Sequence, residues 1–263
     1  MGRRRQARGG HKGKGYEVQV TETCHAENVV EIITHVELTE SCGSDADATL
    51  AMIEELQARG QRPAELIADT AYGSGANAIE AQCLGTELLS PVGGPRVEVE
   101  ASVAVAGAWT TNDFQVDATG EQAAVCPADQ RAVAETQVSG HPYRIQLTFA
   151  RETCESCAEY KRCPARYSPS QDGYVVLVDL VARNLEVRRR SAAGEEFGQR
   201  YALRAGIEAT NSELKRKHGL GKLRVRGKPR VELAMNLKAL SCNIKRMLRV
   251  LLAEMTMAEA ANG

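Results

Sequence analysis

Between Tyr16 and Val92 the apolar period switches from two to 3.6 and back more than once, which restricts the chain to an α/β fold class. Residues 16–24 (YEVQVTETC) alternate as a strand does, and 29–38 (VVEIITHVEL) is a β-branched run. Their short polar connection predicts an antiparallel pair. Ala48, Met52, Ile53 and Leu56 fall at helical spacing within 45–59, behind Asp45 and Asp47, acids suited to a helix N-terminus. A short apolar run at 66–68 ends at Asp69. Gly73, Ser74 and Gly75 then form a turn, 76–84 reads as a helix, and 87–92 reads as a strand closed by Pro91 and Gly93-Gly94-Pro95. From 97 to about 187 the texture changes to short β-rich pieces, such as 143–149 and 174–178, with four cysteines among them. Helical periodicity returns at Glu195 and runs to about His218. A basic, glycine-containing connection follows at 219–228, and then a last helix over 229–252. Pro229 suits its start, and Leu237, Leu240, Ile244, Met247, Leu248 and Leu251 form its apolar stripe. The tail after Met255 is expected to fray. The expected partition is a basic tail (1–15), a first core part (16–95), a β-rich insertion (96–190), two long C-terminal helices (191–252) and a tail (253–263).

Length allows one sizeable core with a small inserted domain. No run of about 18 apolar residues offers a membrane span. The basic N-terminus has no apolar stretch behind it and is not a secretory signal. The eight cysteines therefore read as intracellular thiols or metal ligands, not as a disulfide framework. A net charge of −1 conceals strong segregation. Residues 1–15 carry +6 and 197–252 carry +11, so the remainder sums to −18. One basic end on an otherwise acidic chain suits a polyanion met by one surface, although a solvated basic helix pair would look the same.

The most informative constellation is Tyr201, Arg204, Glu208 and Lys215, spaced Y-x2-R-x3-E-x6-K. On a continuous helix these four fall within about a 60° arc, while Leu203, Ile207 and Leu214 form a separate apolar stripe. Such a face can hold a divalent metal at Glu208 and meet phosphate oxygens through Arg204 and Lys215. The bland alternative is ordinary i,i+4 ion pairing, such as Arg204 with Glu208.

This spacing resembles the Y-R-E-K motif of a large group of bacterial insertion-sequence DDE transposases, in which the glutamate is the third catalytic acid. The segment LIADTAYGSGAN (66–77) is similar to the family's second-acid motif, with Ala71 where glycine is usual before Tyr72. The stretches GHKGKGYEVQVTETC and ITHVELTE, the latter followed by Asp45 and Asp47, match more loosely. The resemblance covers about residues 10–250. It implies a ribonuclease-H-like mixed sheet of five strands, interrupted by an insertion between the second and third acids. It also implies Asp69 and Glu208 as catalytic acids holding magnesium in a two-metal site, DNA as partner, multimeric action on paired DNA ends, and a cytoplasmic location. Two metals would activate water or a 3′-hydroxyl and stabilise the departing oxygen. Phosphate contacts are expected from Tyr201, Arg204, Lys215, Arg216, Lys217, Lys222, Arg224, Arg226, Lys228 and Arg230.

Against the family pattern, residues 1–15 contain no Asp or Glu where the first acid belongs, and Arg3, Arg4, Arg5 and Gln6 replace the usual acidic stretch. The expectation is an N-terminally truncated sequence that lacks its first, central strand and is inactive in cleavage. A non-catalytic DNA-binding remnant, a nuclease of the same fold and an unstable product are the competing readings. Within the insertion, Cys126, Cys154, Cys157 and Cys163 supply four thiols that could close a tetrahedral zinc site, with reduced free thiols and a redox role as alternatives. Cys24, Cys42, Cys83 and Cys242 read as core or incidental residues.

Overall fold

The computed structural model describes residues 16–40, 45–93, 107–117 and 119–262. They form two compact units. One holds the chain up to Arg62 together with everything from Gln199 onward, and the other holds Pro63–Gly198. The basic residues 1–15 and Cys42 lie outside the described residues.

The first unit begins with the expected antiparallel pair, β1 (Tyr16–Glu22) and β2 (Ile33–Glu40), in register from Tyr16 opposite Glu40 to Val20 opposite Val36, with an irregularity at Thr21–Glu22. Alternation sends Val18 and Val20 to one face, and there they join Ile33, Val36 and Leu38. Helix α1 (Asp45–Ala58) packs on β2, and the Thr21 hydroxyl of β1 lies 3.0 Å from Met52 Sδ. The last helix of the chain, Lys228–Asn262, crosses the pair and buries Val231, Met235, Ala239 and Cys242 against Val18, Val20, Val36, Leu214 and Leu220. Asn243 of that helix clamps β2. Its amide oxygen accepts from Ile33 N at 2.9 Å and its amide nitrogen donates to Ile33 O at 2.8 Å.

In the second unit, two short parallel strands flank a helix in sequence, as the apolar pattern implies. The strands are β3 (Glu65–Ile67) and β4 (Glu87–Leu89), with α2 (Gly75–Cys83) between them. Gly85, at φ +77°, turns the chain out of α2 into β4. Four further strands form an antiparallel sheet in the order β5-β6-β8-β7: β5 (Ala134–Gln137), β6 (Arg144–Ala150), β7 (Arg166–Ser168) and β8 (Gly173–Asp179). Its core is Phe114, Leu147, Phe149, Tyr174, Val176 and Val178. A short helix, α3 (Arg151–Glu155), follows β6. Asp179 ends β8 and caps α4 (Leu180–Ala192) by accepting from Ala182 N at 3.0 Å.

Four expectations need correction. Among the described residues the strands form separate sheets, not the one mixed sheet, short of its first strand, that is expected. The sequence pattern predicts no helix immediately before Glu195, yet α4 occupies Leu180–Ala192, directly after β8, where the short β-rich texture is expected to continue. The two long C-terminal helices are three: α5 (Glu195–Ala202), α6 (Ala205–Arg216) and α7 (Lys228–Asn262), the last continuing helically through the tail expected to fray. Finally, the stripe Leu237, Leu240, Ile244, Met247, Leu248 and Leu251 is exposed, and α7 uses its other face, with smaller residues, against the sheet.

Candidate active site

Asp69 lies two residues past the end of β3, in the second unit. Its Oδ1 accepts from Ala71 N at 2.9 Å while Tyr72 N donates to the Asp69 carbonyl at 3.2 Å, a turn closed by the acid's own side chain. Ser74 caps α2 by accepting from Asn77 N at 3.0 Å, and Asn77 in turn donates to Tyr72 O at 2.9 Å. The turn is held from a distance by Arg188 of α4, which donates to Gly73 O and Ser90 O, both at 3.0 Å. Gly73 must be glycine for this arrangement, since a Cβ there would stand 1.7 Å from Ser90 Oγ and 2.9 Å from the Arg188 guanidinium. Burial of Arg188 holds its pKa below the usual arginine range. A charged group shut away in this manner is kept by its hydrogen bonds to carbonyls.

Glu208 stands in the first unit, in the first turn of α6. Its side chain is 70% exposed, so it can meet a ligand from solvent, and Arg204 pairs with it at 3.2 Å. The four motif residues do not share one helix. Tyr201 belongs to α5, Arg204 caps α6, and Glu208 and Lys215 lie on α6. Between them the backbone tightens into three-residue turns: Leu203 N donates to Arg200 O, Arg204 N to Tyr201 O, and Ile207 N to Arg204 O. Each residue in such turns advances the helix further than an α-helical residue, so the expected arc does not apply across the step. Gly206, a weak helix former, sits inside it.

α6 is fixed from beneath by a buried ionic network. Arg246 of α7 reaches Glu22 of β1 at 3.1 Å and Glu213 of α6 at 3.5 Å, and it donates to the Thr210 hydroxyl, which itself donates to Glu22. Burial would raise the Glu213 carboxyl, but Arg246, the Cys242 thiol and Lys217 together hold it below the usual carboxylate range. Arg188, Glu22, Thr210 and Arg246 were missed by reasoning from sequence. Arg188 is one of three consecutive arginines and Glu22 one acid among many in an acidic stretch, so neither carries a signal of its own. Lys215, Arg216, Lys217, Lys222, Arg224, Arg226, Lys228 and Arg230 are all exposed, running from the end of α6 to the start of α7.

The four insertion cysteines line one small cavity of ≈ 20 Å³, together with Phe114, Phe149 and Tyr174. Gln130 N donates to Cys126 Sγ at 3.4 Å, in a turn whose Asp129 adopts φ +59°. Burial, followed by the neighbouring Cys163, Cys126 and Cys157, pushes the Cys154 thiol up to about 11. Of the others, Cys83 is exposed and Cys242 is buried.

Among the described residues no helix is long and apolar enough to cross a membrane. Neither the curated proteins nor the solved structures contain a significant match to this chain. Residues 125–248, which include Glu208, Lys215 and the whole cysteine cluster, match the family described as Transposase DDE domain, a match that supports a DDE transposase catalytic region in that stretch.

Proposed function

We propose that this chain serves DNA transposition of an insertion sequence, with Asp69 as the second and Glu208 as the third acid of a DDE site. The observation that carries the reading is Glu208, a solvent-facing carboxylate inside the matched region, on a helix that leads into an exposed basic stretch. Both acids offer hard carboxylate oxygens, the donors magnesium prefers. Magnesium bound there would supply an activated attacking hydroxyl and charge stabilisation at the departing oxygen. The protein's own share is positional. The Asx turn and Arg188 fix the backbone around Asp69, while the Arg246 network fixes α6. Arg204 neutralises Glu208 until phosphate competes for the guanidinium. Tyr201 and Lys215 flank the same region and contact the DNA backbone. The cysteine cluster holds a structural zinc that stabilises the sheet β5-β6-β8-β7 around it.

Residues 1–15 contain no Asp or Glu; the activity assigned to this chain is DNA binding without cutting. The purified protein, given DNA carrying the element's ends and magnesium, should retard the DNA and leave it intact. A magnesium-dependent cut that disappears in Glu208→Gln would overturn the inactivity while upholding Glu208. A cut that persists in Glu208→Gln would overturn the site itself.

A further inference from the structure

Five residues beyond Glu208, a different set of donors converges. Glu213 on α6, His218 just past its end and Cys242 in the middle of α7 bring a carboxylate oxygen, an imidazole nitrogen and a sulfur within 4.8 Å of one another. Cys242 is fully buried, and the other two are mostly so. Two atoms at this point lack a hydrogen-bond partner although water cannot reach them: Glu213 Oε1 and His218 Nε2. A buried orphan of this kind costs about 1–3 kcal/mol, so one on each of two converging residues asks for an occupant. Glu213 Oε2 is already engaged, by Arg246 at 3.5 Å and by the Cys242 thiol at 3.6 Å. The Lys217 ammonium stands 3.9 Å from Oε1, beyond hydrogen-bonding reach.

The backbone around the imidazole is fixed. His218 N donates to Glu213 O at 3.3 Å, the His218 carbonyl accepts from Lys238, and Leu220 N donates to Leu214 O at 2.9 Å. Gly219, at φ +65°, provides the left-handed step that lets the chain reverse there. Nitrogen, sulfur and oxygen from three residues are the mixed set that zinc accepts, and magnesium or calcium would want oxygen throughout. With Cys242 as thiolate, Glu22, Glu213 and Cys242 are negative, and they face Arg246, Lys217 and the ion. Lys238 and Lys245 also face His218, which favours an ion held by a metal–sulfur bond over one held by charge alone.

We propose that Glu213, His218 and Cys242 form a zinc-type site with one coordination position left to water, locking the C-terminal end of α6 to α7. Binding would displace the Cys242 proton to solvent. This site is separate from the four-cysteine cluster and does not depend on the DNA chemistry proposed above.

The test uses the full chain, stripped of metal and titrated with cobalt(II), with zinc content measured after reloading. Wild type should show a sulfur-to-cobalt charge-transfer band. Cys242→Ser and His218→Gln should each lose one zinc equivalent and weaken cobalt binding at that site by more than about 100-fold, beyond what outer-shell changes cause. Cys154→Ser should leave that equivalent in place. Should Cys242→Ser fail to fold, His218→Gln, at the less buried position, decides alone. Equal metal content in wild type and His218→Gln, or a folded wild type that binds no metal apart from the equivalent lost in Cys154→Ser, would overturn the proposal.

Discussion

Asn243 meets β2 through both ends of its amide, and both bonds go to a single residue, Ile33. Asn243→Ala removes donor and acceptor together and strands the Ile33 amide and carbonyl beneath α7. The expected loss is about 2 kcal/mol, seen as a lower urea midpoint with an unchanged slope. Asn243→Asp should recover only the acceptor half. At this scale the sequence points to residues whose type and spacing announce chemistry: Asp69 at the end of an apolar run, Glu208 within Y-x2-R-x3-E-x6-K, and Cys154 and Cys157 with two residues between them. It does not point to residues defined by what they touch. Arg246 and Arg188 look like any surface arginine until the fold brings Glu22 or Gly73 to them from more than a hundred residues away.

Elements were legible in proportion to their length and regularity. β1, β2, α1 and α2 stand within a few residues of their expected bounds, because each has a full period of apolar residues between clear stop signals. α7 shows the limit of that reasoning. Its larger apolar residues make the stronger stripe, yet the sheet takes the opposite face, where Ala239 and Cys242 allow close approach. The step between α5 and α6 was invisible because periodicity continues across it. Gly206 lies in this step, and a Cβ there would meet only Glu22 Oε1, at an ordinary 3.5 Å. Gly206→Ala should therefore raise stability by about 0.5–1 kcal/mol through helix propensity, measured as a higher melting temperature. A fall instead would mean that the tightened turn needs glycine.

For the molecule as a whole, charge segregation is the property that sequence conveyed most directly, since it needs no fold to be counted. Lys222, Arg224, Arg226, Lys228 and Arg230 are exposed in one run. Replacing Lys222, Arg224 and Arg226 with glutamine should weaken DNA binding across sequences. It should also reduce the slope of log affinity against log salt by about one for each phosphate no longer neutralised. An unchanged slope would make this run a solvated surface. Sheet order was the least legible property, because pairing between distant strands leaves no local mark on either one. A last consequence concerns how this sequence can change over time. Ser90 Oγ occupies the space that any side chain at position 73 would need, and Arg188, 115 residues from Gly73 along the chain, bonds to both residues and crowds the same space. The positions therefore form one mutational unit. Ala71 is exposed and open to drift, whereas a new side chain at Gly73 would be accepted only after Ser90 and Arg188 had given way, so variation near Asp69 should appear paired with variation on α4.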